Sequence, residues 1–229
     1  MQYGIPQSTS FVAEATPDVR ATFIRKVYTL FFASLLTTIA VGAISAQAAF
    51  APAMLALRPV WIIGTFACLI GMFFARRVSG LNLVLLYLFA AMEGALLGPL
   101  VSMINQVMPG VPAQAAWLTG GVFGGLSIYV FQSKRDFSFL GGMLWASLLA
   151  LLIAGFVMFF VGSTVANTLY CIVGILIFSG YVLYDTSQIM NHLEPGQEAV
   201  GAIELYLDIL NLFLFVLRLL GIFNSSSRD

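Results

Sequence analysis

Residues 203–223 read IELYLDILNLFLFVLRLLGIF. The run is long enough to cross a bilayer as one helix, since a helix needs about 20 predominantly apolar residues to span the hydrocarbon layer. It nevertheless carries Asp208 and Arg218 inside the apolar stretch and Glu204 at its mouth. A charged side chain at the centre of a spanning helix costs at least ~2.5–3.5 kcal/mol unless it is paired or hydrated. The segment therefore predicts a membrane helix whose charges face other protein, which requires a bundle rather than a single anchor.

The rest of the chain supplies that bundle. Of its 229 residues, 60% are hydrophobic and 9% charged, and mean hydropathy is +0.98. Soluble domains average roughly 25% charged residues, so little of this surface is built to meet water. Six further apolar runs stand at Val27–Phe50, Val60–Ala75, Leu81–Gln106, Gln114–Phe131, Phe139–Val161 and Leu169–Tyr184. They are separated by Pro-, Gly- and charge-rich breaks such as Met108-Pro109-Gly110-Val111-Pro112 and Glu194-Pro195-Gly196-Gln197. The expected architecture is all-α: a polytopic bundle of seven transmembrane helices over residues 23–225. A flexible N-terminal tail (1–22) and a short C-terminal tail (226–229) flank it. The mixed polar character of residues 1–22 argues against a cleavable signal peptide.

Charge distribution orients the bundle. With the N-terminus inside, Arg20, Arg25, Lys26, Arg76, Arg77, Lys134 and Arg135 fall on the inner side, and Arg58 and Arg228 on the outer. The positive-inside rule then predicts a cytoplasmic N-terminus and, after seven crossings, an external C-terminus. Net charge is zero and basic residues never gather beyond pairs, so nucleic acid is not an expected partner. Cys68 and Cys171 lie in apolar runs and read as buried small hydrophobes. Gly120, Gly121, Gly124 and Gly125 predict a close helix approach in the fourth span. Glu204 reads as an acid favoured at a helix N-terminus, Arg77 as an interfacial anchor, and His192 as a solvated loop residue.

Four ionisable groups within or beside the runs are candidates for function: Glu93, Asp185, Asp208 and Arg218. Asp185 ends the sixth span on the inner side, and Asp208 lies roughly 7–8 Å into the seventh at 1.5 Å per residue. Arg76 closes the second span at the same depth. Two such carboxylates do not ionise independently; they titrate as a pair, and a guanidinium nearby favours their charged form. The cluster suits a proton or a hard cation such as Ca²⁺, with Asp185 and Asp208 as metal ligands. Glu93 and Arg218 have expected depths of roughly 18 and 22 Å, which predicts a buried ion pair between them.

Four stretches recur together in order: Glu93 followed by Gly94-Ala95-Leu96-Leu97-Gly98-Pro99, Lys134-Arg135-Asp136-Phe137-Ser138-Phe139-Leu140, Tyr184-Asp185-Thr186-Ser187-Gln188-Ile189, and Leu205 to Phe213 around Asp208. Over nearly all of residues 20–225 the chain resembles the Bax inhibitor family, the transmembrane Bax inhibitor motif proteins, in a bacterial-type version. The resemblance implies a seven-helix bundle with the last helix central, acting as a pH-sensitive Ca²⁺ leak channel in a bacterial inner membrane. It implies that Asp185 and Asp208 form the proton sensor and gate, with Arg76 beside them. A family arginine late in the last span falls on Arg218, where it latches to a glutamate of the second span. Val60–Ala75 contains no acid, and Glu93 is the candidate substitute. Some bacterial relatives restrain a membrane-bound AAA protease, which makes a regulator of such a protease the alternative function.

An enzyme is not expected. Two aspartates on adjacent spans bring intramembrane aspartyl proteases to mind, but Asp208 follows Leu205-Tyr206-Leu207 rather than a glycine-rich motif. No cofactor is implied beyond Ca²⁺ as the permeant or bound ion. The expected partners are the lipid bilayer, Ca²⁺ and protons.

Overall fold

The computed structural model describes residues 11–75, 78, 80–133, 135–158, 160 and 163–226. Its helices are α1 (Pro17–Ser45), α2 (Ala51–Ala56), α3 (Arg58–Phe74), α4 (Leu81–Val107), α5 (Val111–Ser133), α6 (Gly141–Met158), α7 (Thr164–Asn191) and α8 (Glu198–Ser226), and no strand occurs among the described residues. Five stretches, Pro17–Ser45, Leu81–Val107, Ser138–Met158, Thr164–Asn191 and Glu198–Ser225, are long and apolar enough to cross a membrane. Large apolar side chains point outward, with Phe74 80% and Trp117 83% exposed. So much bare hydrocarbon surface fits a bilayer and would aggregate in water. The chain is a polytopic helical membrane protein.

Local chemistry sets the helix ends. Proline occupies the first turns of α1, α2 and α3, where its missing N–H costs nothing and its fixed φ is already helical. Ser163 caps α7 by accepting a hydrogen bond from the Ala166 N–H. Between α4 and α5 the chain reverses through Gly110 at φ 84°, a conformation glycine adopts freely. Its N–H donates to Asn105 Oδ1 at 3.1 Å.

Two contacts organise the packing. The first joins α1 to α4 with almost no side chain between them: a Cβ added to Gly98 would collide with the Gly42 carbonyl and the Ser45 hydroxyl, and one on Gly94 would meet the Thr38 carbonyl. Hydroxyls stitch this seam. Thr38 Oγ1 lies 2.9 Å from the Ala90 carbonyl and 2.6 Å from Tyr206 Oη, and Ser45 Oγ donates to the Gly94 carbonyl at 3.2 Å. Since a carbonyl only accepts, the Thr38 proton goes to α4 and Tyr206 of α8 donates to Thr38. The second contact is α8 itself, which packs on α7, α1, α5 and α4 and buries Tyr206, Leu205 and Leu212 completely.

Several expectations need correction. Residues 17–22, expected in a flexible tail, belong to α1, which begins at Pro17, and residues 12–14 form a helical turn whose Val12 N–H bonds to the Leu193 carbonyl at 2.9 Å. The last helix starts at Glu198, five residues before the expected start at Ile203, because Ala199 to Ala202 continue the apolar stretch back to an acid favoured at a helix N-terminus. Nothing stands within 4 Å of a Cβ built on Gly120, Gly121, Gly124 or Gly125. The close approach belongs to Gly42, Gly94 and Gly98 instead.

This seam makes a sharp contrast testable by thermal unfolding in detergent. Gly98→Val is expected to destabilise by about 1–3 kcal/mol or more through overpacking, whereas Gly124→Ala leaves stability unchanged or slightly raised. Equal losses at the two positions would show that the seam does not hold α1 to α4.

Candidate functional site

The C-terminal end of α7 carries three consecutive buried polar residues, Asp185, Thr186 and Ser187. Successive helical residues point about 100° apart, so three in a row can be buried only if protein surrounds the helix end on several sides. Each side chain meets a different element. Asp185 faces α8, where its carboxyl approaches that of Asp208 within hydrogen-bonding reach. Thr186 turns toward Tyr28 of α1, which also faces Ser127 of α5. Ser187 Oγ accepts the Phe137 N–H at 2.9 Å from the loop between α5 and α6.

Asp185 and Asp208 are 8% and 3% exposed. No N–H or hydroxyl among the described residues donates to Asp208 Oδ2. That oxygen is a buried acceptor beside a second carboxyl, and it lacks a donor. The titratable neighbours are Tyr181 and Tyr184 on α7 and Glu204 on α8. Glu204 also lines a cavity of about 170 Å³ with Asn82 of α4 and Met72 of α3. Among the described residues no group of three His, Cys, Asp or Glu side chains could hold a metal. Ca²⁺ takes 6–8 oxygen ligands, of which two carboxyls can supply at most four.

The expected pairing of Glu93 with Arg218 does not form. Ion pairs among the described residues join Lys26 to Glu198 at 3.7 Å and His192 to Asp136 at 3.1 Å. Arg218 Nη2 donates to Asn167 Oδ1, and the guanidinium lies over the Tyr170 ring, 5.3 Å from its centroid. The reason is the early start of α8: counted from Glu198, Arg218 lies roughly 30 Å along its helix, against roughly 18 Å for Glu93 in α4. Arg218 thus reaches the first turn of α7 at the opposite end of the bundle from the aspartates. Glu93 is buried on α4 next to Tyr206 of α8. Arg76 lies outside the described residues.

A polar cluster beneath the pair was not expected. Asp136 Oδ1 accepts the Ser138 N–H at 2.9 Å and the Ser187 hydroxyl at 3.3 Å, and Asp136 Oδ2 meets His192 Nε2 at 3.1 Å. His192 is therefore not simply solvated; it clamps the α5–α6 loop to the end of α7, with the Phe11 ring edge-on at 6.2 Å. The Ser138 N–H, aided by His192, holds the Asp136 carboxyl below the usual aspartate range. The sequence signal for this cluster was the stretch around Asp136, whose run of polar residues outside any span had no assigned partner.

A buried acid pair between the last two helices of an apolar bundle defines a membrane protein with an internal ionisable site. Comparison with known proteins assigns it further. Residues 20–225 match the family described as "Inhibitor of apoptosis-promoting Bax1". The chain is 32% identical to Bax inhibitor 1 of Schizosaccharomyces pombe over 97% of its length and 85% of that protein. It is 34% identical to protein lifeguard 4 of Mus musculus, covering 94% and 91% of the two chains. A membrane protein of Vibrio cholerae is 37% identical, with 89% and 90% covered. The protein belongs to the Bax inhibitor family.

The lowered Asp136 fixes the pH range of its clamp. A depressed carboxyl contributes above its ordinary value, near about 3.9, and the contribution disappears only as pH falls through the lower folded value. The Ser138 amide resonance of labelled protein is expected to titrate with a midpoint below that ordinary value, and Asp136→Asn should abolish the titration. A midpoint at or above the ordinary value would show that the clamp is not formed.

Proposed function

We propose that this protein is a passive cation leak pathway with Ca²⁺ as cargo, its conduction set by proton binding to Asp185 and Asp208. In this reading α1, α3, α4, α5, α6, α7 and α8 are seven crossings of a bacterial inner membrane, with the N-terminus cytoplasmic. The observation that carries the proposal is the approach of two buried carboxyls on adjacent helices with one oxygen short of a donor. Intramembrane acids are costly, and they characteristically mark ion or proton routes. Family membership adds support, since the stretches of this chain that carry the family resemblance include both aspartates.

The mechanism follows from the pair's two states. With one proton shared, the carboxyls bond to each other and tie α7 to α8. With that proton gone, two adjacent negative charges repel, and a cation or a shift of α8 relieves them. In this reading the pair attracts Ca²⁺ without trapping it, as conduction requires.

Ca²⁺ flux from vesicles containing the purified protein tests the reading. The wild type is expected to show flux that changes with pH, and Asp185→Asn or Asp208→Asn is expected to remove most of that pH response. Absence of flux, or an unchanged profile in the double Asn variant, rejects it.

A further inference from the structure

Away from the acid pair, toward the α4–α5 loop, the bundle contains a cavity of about 600 Å³. That lies within the roughly 300–1,000 Å³ of sites that hold small molecules. Its walls come from α1, α4, α5 and α8, and its lining is overwhelmingly apolar. On α1 the lining runs from Leu35 to Ala46, roughly 16 Å along the axis. The space is therefore a crevice elongated parallel to the helices.

Its origin lies in the packing. α1 and α5 meet toward their other ends through aromatic side chains, with Phe31 stacked on Phe123 at 5.1 Å and Tyr28 against Phe131 at 5.6 Å. Beyond that prop the facing residues shrink to Ala43 and Ala46 on α1 and Ala113 and Ala116 on α5. α5 leans on α7 and α8, so small side chains are left to bridge a gap that large ones hold open. Both flanks are bilayer-facing: Ile39 is 65% and Trp117 83% exposed. The crevice thus continues the lipid-contacting surface inward until it reaches Tyr206, Ile209 and Phe213 of α8.

We infer that this crevice binds one hydrocarbon chain of a membrane lipid, laid against α8. A hydrated cation finds almost no oxygen on these walls, whereas an acyl chain already runs parallel to the helices and loses nothing by leaving other chains. Filling the space restores the dispersion contacts that a void forfeits. Thr119 also lines the crevice, and its buried hydroxyl makes no hydrogen bond. A plain hydrocarbon chain makes no use of that hydroxyl, whereas a carbonyl-bearing lipophile would depend on it. The inference stands independently of the ion-leak reading.

Photolabelling decides it. The protein is placed in dioleoyl phosphatidylcholine vesicles containing a phosphatidylcholine with a diazirine late in one chain, illuminated, and mapped by peptide mass spectrometry. Adducts are expected on the α8 stretch from Tyr206 to Phe213 as well as on the exposed face around Trp117. Ala43→Phe with Ala116→Phe should remove the α8 adducts and keep those near Trp117, which also reports that the variant is inserted. Thr119→Val should leave α8 labelling unchanged. Labelling near Trp117 without any on wild-type α8 overturns the inference, as does α8 labelling that survives the two phenylalanines. Loss of α8 labelling in Thr119→Val overturns it too, because the occupant would then be a hydrogen-bonding lipophile.

Discussion

A carboxyl group in hydrocarbon has nowhere to go except toward another polar group. That constraint sets the relation of α7 to α8. Asp185 and Asp208 must face each other, which fixes the rotation of both helices and the register at which they meet. With Asp208 pointed at α7, the rest of α8 follows by helical periodicity. Tyr206 then turns toward α1 and reaches Thr38, which in turn bonds the Ala90 carbonyl of α4. One acid pair and one hydroxyl relay therefore tie four helices together within a short length of α8. The apolar side chains around them fill space without choosing orientation, since lipid is as good a solvent for leucine as another leucine.

The two sides of α1 show how residue size then shapes the interior. Toward α4, glycine permits backbone contact and the hydroxyls of Thr38 and Ser45 reach across it. Toward α5, aromatic rings hold the helices apart at one end and alanines fail to fill the other. Tight seam and open crevice adjoin on the same helix, and Thr38 and Gly42 border both.

Much of this was legible in the residues. The apolar runs located the helices, and counting depth from run ends brought Asp185 and Asp208 to one level before any coordinates. The same arithmetic failed for Arg218 because it began at Ile203 and not at Glu198, where the helix starts. Five residues are more than a full turn, enough to move a guanidinium from mid-bundle to the far end, where Asn167 and Tyr170 receive it. Glycine spacing misled for a different reason. Gly120, Gly121, Gly124 and Gly125 make the denser pattern, but close approach needs a partner that is also small. Gly42 supplied one to Gly94 and Gly98, and no helix supplied one to α5. The Asp136 clamp was hidden because its partners, Ser187 and His192, lie some fifty residues along the chain and no periodicity links them.

The strengths of the contacts around the C-terminal end of α7 and the start of α8 bear on which helix responds to the proposed proton. α7 is held there by the loop between α5 and α6, through Ser187, Asp136 and His192, and by the Val12 N–H bonded to Leu193. The corresponding end of α8 has the Lys26–Glu198 pair, whose lysine is 63% exposed, and such solvated pairs contribute only ~0–1 kcal/mol. Apolar contacts of α8 with α1 slide more easily than a hydrogen-bonded clamp breaks. Loss of the proton shared by Asp185 and Asp208 would therefore be relieved by displacement of the first turns of α8, with α7 as the fixed wall. Asp208 moves only if the Tyr206–Thr38 bond two residues away gives with it, which couples the acid pair to the seam between α1 and α4.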